Sequence, residues 1–203
     1  YELGTLTVTD KNGDSVKLSY KSANKYTFTM PGSKVTIEAT FAEASEDLPF
    51  TDVAVNAWYA DAIQFVYEDG LMTGVTTTTF GPNVTTSRAM LATILYRLEG
   101  EPRVTAASFT DVESGMYYTD AVAWASSKGI VTGYGDGTFL PNKAITREEM
   151  AAMLYRYASY KGYDVTGMKD LGGYSDAASV SSYAVEAPQW ATSEGLVTNI
   201  DGA

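Results

Sequence analysis

The sequence contains no cysteine and no histidine. That excludes histidine-dependent triads, thiolate nucleophiles, and zinc held by imidazole or thiolate. No disulfide can staple the chain, so its 203 residues must be stabilised by a core. At 45% hydrophobic content, the composition is sufficient for one. There is no apolar run of about 18 residues, which excludes a membrane-inserted helix. No leader-peptide pattern opens the chain. It starts inside a strand pattern and closes inside a repeat, so it reads as a fragment of a longer protein with its export signal upstream. Cations are scarce, with 14 Lys plus Arg against 25 Asp plus Glu, for a net charge of −11. Nucleic acid is excluded as a partner by that repulsion, whereas a local cationic groove can still take an acidic ligand. No glycine-rich phosphate loop followed by lysine appears. The acids Asp52 and Asp111 recur singly and do not form the carboxylate pair that glycoside hydrolysis requires. The expectation is therefore a chain with no catalysis, no cofactor and no metal.

What is present is organised around Ile145 to Tyr157, ITREEMAAMLYRY. Met150, Met153, Leu154 and Tyr157 share one face at helical spacing. Thr146 with Glu149 three residues later forms a capping box. Arg147 at the first helical position faces the positive end of the helix dipole, which suits it to an anion-binding corner. Ser87 to Arg97 repeats this stretch at an offset of 59 (146 minus 87), with Ser87 as the cap, Arg88 in place of Arg147 and Met90 in place of Glu149. From Phe50 to Arg97, 19 of 48 positions equal their partners 59 residues on, which establishes an internal repeat. A third copy starts near Tyr174-Ser175-Asp176, runs through Tyr183, Trp190 and Gly195-Leu196-Val197-Thr198, and is cut off at Ala203.

The motifs FTDV, WYADAI (Trp58 to Ile63), GLMTG and GIVTG, GYGDGTFLPN (Gly133 to Asn142) and ITREEMAAMLYR follow one another in an order that resembles the S-layer homology family. The resemblance implies mainly α-helical repeats in a pseudo-threefold bundle with glycan grooves between neighbours. It also implies attachment of an extracellular bacterial protein to the cell wall through an anionic secondary wall polysaccharide, often pyruvylated. On that basis Arg88 and Arg147 would grip a carboxylate, with Ser87 and Thr146 beside them. Asp52 and Asp111 would orient hydroxyls or cap the following turn. Trp58, Tyr117, Tyr118 and Tyr134 would pack on sugar faces, and Gly133, Gly135 and Asp136 would let the backbone approach. Trp58, Trp124 and Trp190 also read as core residues.

The fold class is multidomain, α and β. Residues 1–43 read as a small antiparallel β module from the alternating runs Leu6–Val8, Val16–Tyr20, Tyr26–Met30 and Val35–Phe41. They resemble the end of a β-rich extracellular repeat module. Asn12-Gly13 and Pro31-Gly32 mark turns, and DKNGD at Asp10 to Asp14 lacks the later ligands of a calcium loop. Residues 44–49 read as an acidic linker, followed by repeats at 50–108, 109–173 and 174–203. In repeat 1, Asn56 is expected to cap a helix that runs to Asp69 with Trp58, Ala62, Phe65 and Val66 inward. Repeat 2 should hold helices from Tyr117 to Lys128 and from Thr146 to Lys161, and Pro188 should kink or delay the helix of repeat 3. Asn199 replaces the family glycine. The expected role is a non-catalytic wall anchor. The alternatives are a self-assembly or protein-contact module, in which another chain completes the third repeat, and the anchor of an extracellular enzyme whose catalytic domain lies elsewhere.

Overall fold

A computed structural model describes residues 2–22, 25–42, 48–105 and 109–198. They fall into two units, 1–69 with 74–80 and 70–73 with 81–203. Residue 43, the linker residues 44–47 and Asn199 lie outside the described residues.

In the first unit, β1 (Glu2–Asp10) pairs antiparallel with β4 (Val35–Ala42) and places Val8 opposite Ile37. The expected turn forms at Asn12-Gly13, where Gly13 has φ 87°. The Asp10 carboxylate accepts the N–H groups of Asn12 and Asp14 at 2.8 and 3.0 Å, so it braces its own turn. Beyond the Thr9–Ser15 bridge, however, the next run does not continue the ladder. β4 offers the longer alternating partner, and the second run supplies only β2 (Ser19–Ser22), paired with β3 (Lys25–Thr27). The run Tyr26–Met30 ends as a strand at Thr27, ahead of Pro31, which has no N–H to donate.

Helix α1 (Ala60–Glu68) starts four residues after the expected Asn56 cap, behind Tyr59 and without a side-chain cap. Its buried residues are Ala60 and Ile63. Ala62 and Phe65 are exposed and Trp58 is 93% exposed, so the inward face differs from the one expected. The register is set by Ile63 rather than by Trp58. Phe50 packs edge-on against Tyr67 and Phe80, with centroids 4.9 and 5.3 Å apart.

The second unit holds α2 (Arg88–Leu98), α3 (Thr119–Ser127), α4 (Arg147–Tyr160), a 3-10 turn (Ala177–Ser179) and α5 (Glu186–Ser193). Met153 and Tyr157 of α4, flanked by Met150 and Leu154, pack with Leu91, Leu95, Val122, Trp124, Ile130 and Phe139. This is the face read from the sequence. A second α4 face of Ala151, Ala152 and Ala158 packs on Ala187, Trp190 and Ala191 of α5. Small side chains there let the two helices approach closely. α4 is thus buried from two sides, between α2 and α3 on one and α5 on the other. At its far end, Glu99 after α2 accepts from Tyr157 Oη at 2.6 Å and pairs with Lys161 Nζ at 2.8 Å. Burial opposes the charge on Glu99, yet these two donors hold its carboxyl below the usual range. Gly129, Gly162 and Gly195 end α3, α4 and α5 at positive φ. Pro188 falls in the first turn of α5, where a missing N–H costs nothing, so the helix starts late instead of kinking.

Candidate functional site at the head of α4

The segment entering α2 lies against the loop entering α4. Arg88 N donates to the Lys143 carbonyl and Ala89 N to that of Pro141, both at 3.0 Å. Ile145 N donates to the Thr86 carbonyl at 3.0 Å, and Ser87 bridges Ala144. The start of the second helix in repeat 1 is therefore clamped to repeat 2 by backbone hydrogen bonds, which places Arg88 beneath the repeat 2 loop.

Arg88 is 6% exposed. Its guanidinium lies between the rings of Tyr134 and Phe139, 4.8 and 4.7 Å from their centroids, and Nε donates to the Phe139 carbonyl at 2.9 Å. Nη1 stands 3.5 Å from Glu149 Oε1. Glu149 is the hub of the cluster. Its Oε1 accepts Lys143 Nζ at 2.8 Å and the Tyr134 hydroxyl, and its Oε2 accepts Thr146 N at 3.0 Å. Burial pushes its carboxyl up, but Lys143, Tyr134, the Thr146 amide and Arg88 together outweigh that and hold it at about 2. Lys143 Nζ also donates to Tyr134 Oη at 2.8 Å, and those two partners raise its pKa. With Arg147 and Glu148 in the same helix turn, three cations meet two carboxylates, which leaves a net positive corner at the positive end of α4.

The third repeat meets the same corner. Glu148 accepts Ser181 N at 2.8 Å and Ser181 Oγ at 3.0 Å. Burial raises the phenol of the exposed Tyr183, and the field of Glu148 and Glu149 raises it further. Arg147 is exposed, and its Nη2 donates to the Thr198 carbonyl.

The structure therefore brings together Ser87, Arg88, Tyr134 and Thr146 of the sequence-derived set. Ser87 and Thr146 both cap their helices, and in the first case Met90 Sδ takes the place of glutamate, 3.4 Å from Ser87 N. Arg88 is committed to internal partners, whereas Arg147 keeps its guanidinium at the surface. Asp111 accepts the amides of Phe139 and Leu140 at 2.8 and 2.7 Å, and Asp52 accepts that of Phe80 at 2.8 Å. Each aspartate thus braces the loop at the phenylalanine 28 residues on. Asp136 caps Thr138 at 2.9 Å. At Gly133, φ is 66° and an added Cβ would lie 2.5 Å from the Thr138 carbonyl. Gly135 is open. Tyr118 is 3% exposed and belongs to the core, which leaves its ring no face for a sugar. Trp124 and Trp190 are core residues, and Trp58 is not.

Sequence reading missed Lys143, the hub role of Glu149 and the contribution of Tyr183. The available signals were a lysine three residues before the cap and an aromatic at one register in all three copies, Trp58, Tyr117 and Tyr183. All three are exposed.

The S-layer homology domain family matches residues 49–90 and 108–151. These segments are S-layer homology repeats. The chain is 35% identical over 160 residues to an endoglucanase of Bacillus sp. (strain KSM-635), covering 78% of this chain and 17% of that protein. It is 31% identical over 146 residues to the surface-layer 125 kDa protein of Lysinibacillus sphaericus, covering 70% and 12%. It is 32% identical over 130 residues to S-layer protein sap of Bacillus anthracis, covering 60% and 16%. The chain spans less than a fifth of the length of these relatives. S-layer homology domains anchor surface proteins to the cell wall, and the repeats place this chain at the bacterial cell surface. No helix among the described residues is long and apolar enough to cross a membrane.

Proposed function

We propose that the chain is a non-catalytic anchor that binds an acidic, pyruvylated secondary wall polysaccharide at the head of α4. Its repeats are bounded at 50–108, 109–173 and 174–203 and arranged with pseudo-threefold symmetry. The observation that carries this reading is the positive corner in a protein of net charge −11: Arg88, Lys143 and Arg147 against Glu148 and Glu149, at a helix N-terminus, under exposed Tyr134 and Tyr183. Two protons of the Lys143 ammonium go to Glu149 and Tyr134, and the third remains for a ligand carboxylate. Arg147 offers an exposed fork on the next side of the same helix turn. Arg88 acts behind them by fixing Tyr134 and Glu149. The likeness to an endoglucanase supports the further proposal that a parent protein can carry a catalytic domain outside this segment.

Cosedimentation with sacculi tests the reading. The double variant Lys143→Ala/Arg147→Ala is expected to lose at least tenfold in binding while keeping its far-ultraviolet circular dichroism. Sacculi stripped of secondary polysaccharide should not retain the unmodified chain. Equal retention of variant and parent would refute the site. Arg88→Ala is a poor probe, because it removes a buried partner along with any contact to ligand.

A further inference from the structure

Each first helix of the second unit is covered by the second helix of the repeat before it. α2 packs on α3, and α4 packs on α5. The two contacts are built alike. Tyr96 lies against Trp124 with ring centroids 5.8 Å apart, and Tyr155 lies against Trp190 at 5.6 Å. A buried alanine, Ala92 or Ala151, stands four residues before each tyrosine. The covered helices set buried alanines on both sides of their tryptophans, Ala121 and Ala125 on α3 and Ala187 and Ala191 on α5. Small side chains there let the helix axes come close. Neither indole N–H has a hydrogen-bond partner among the described residues, so the contact asks for apolar area and not for polar groups.

α1 carries the same face without a cover. Phe65 stands 59 positions before Trp124 (124 minus 65), and Ala62 and Val66 hold the places of Ala121 and Ala125. Trp124 and Trp190 are 1% and 5% exposed, whereas Phe65 is 61% exposed. Ala62 is exposed, although Ala121 and Ala187 are buried. This is the face that apolar spacing marks as inward. The internal copies show what covers it: a helix with alanine and, four residues on, tyrosine. A second copy of this chain does not supply that helix, because its α2 and α4 faces are already engaged with α3 and α5.

We propose that Ala62, Phe65 and Val66 form a docking surface for one protein helix of the α2 and α4 kind, from outside residues 1–203. Its tyrosine rests on the Phe65 ring, and its alanine lies against Ala62 and Val66. The surface is distinct from the head of α4 and does not depend on polysaccharide binding there.

The test titrates the full chain with a stapled helical peptide of residues 145–162 and follows backbone amides by heteronuclear NMR. Amides of α1 are expected to shift and saturate, and those of 186–193 to hold still, because α4 already covers that helix. Phe65→Asp in the chain should raise the apparent Kd at least tenfold, as should Ala151→Glu/Tyr155→Ala in the peptide. Phe65 is exposed, so Phe65→Asp is expected to keep the far-ultraviolet circular dichroism of the parent. Amides of α1 indifferent to the peptide, or shifting equally in Phe65→Asp, overturn the proposal. Amides of α1 that shift with protein concentration alone also overturn it, by assigning the face to a second copy. No sacculi are present, so failure of docking and failure of wall binding are read separately.

Discussion

Arg88 and Arg147 occupy one position in two repeats and meet different surroundings. The first is buried against Glu149, Tyr134 and Phe139, and the second lies at the surface. Arg88→Ala is therefore expected to cost about 2–4 kcal/mol, as the loss of a buried charge partner does. Urea unfolding would show this as a lower midpoint with an unchanged slope. Glu149 gives a second prediction at this scale. Its carboxyl stands at about 2 in the fold against an ordinary value of 4.5. The unfolded chain therefore takes up the proton first as pH falls. The stabilisation is complete above pH 4.5 and fades between 4.5 and 2, by about 3 kcal/mol in all. Glu149→Gln should remove that part of the pH dependence, visible as a flatter plot of unfolding free energy over this range.

The loops and caps between elements carry tests of their own. Gly133 and Gly135 both have positive φ, but only Gly133 is hemmed in, by the Thr138 carbonyl and the Phe109 ring. Gly133→Ala should cost at least about 2 kcal/mol, and Gly135→Ala about 1, from backbone conformation alone. Thermal melts of the two variants would separate them. The thioether of Met90 is a weak acceptor for the Ser87 amide. Met90→Glu, which restores the acid found at Glu149, should stabilise the start of α2 by about 0.5 kcal/mol, read as a higher Tm. The second helix of repeats 1 and 2 was legible in the sequence for this reason. Local chemistry fixes its cap at Ser87 or Thr146 and its stop at a glycine. The first helices were less legible. Tyr59 and Tyr118 precede them without side-chain caps, and the buried face of α1 is decided by what Ile63 meets. The partner of β1 was also hidden, because alternation in β2 and in β4 reads alike until the ladder is formed.

At the scale of the molecule, α4 is the shared element. Its methionine and tyrosine face was readable as an apolar stripe, but its alanine face was not, since alanine marks a contact only once a neighbour is known. The cluster at its head was half legible. The cap and the arginines lie within one motif, whereas Lys143, Tyr134 and Tyr183 come together only through folding. Trp190→Ala should cost about 3–5 kcal/mol and release α5 from α4, seen as faster amide exchange in residues 186–193 than in α2. The backbone clamp between Thr86–Ala89 and Pro141–Ile145 has a consequence for the history of such arrays. An arginine at the head of one copy is matched by a loop and a glutamate in the next. A recombination event that duplicates or deletes a copy is therefore expected to leave a working array only if it joins neighbours whose edges correspond.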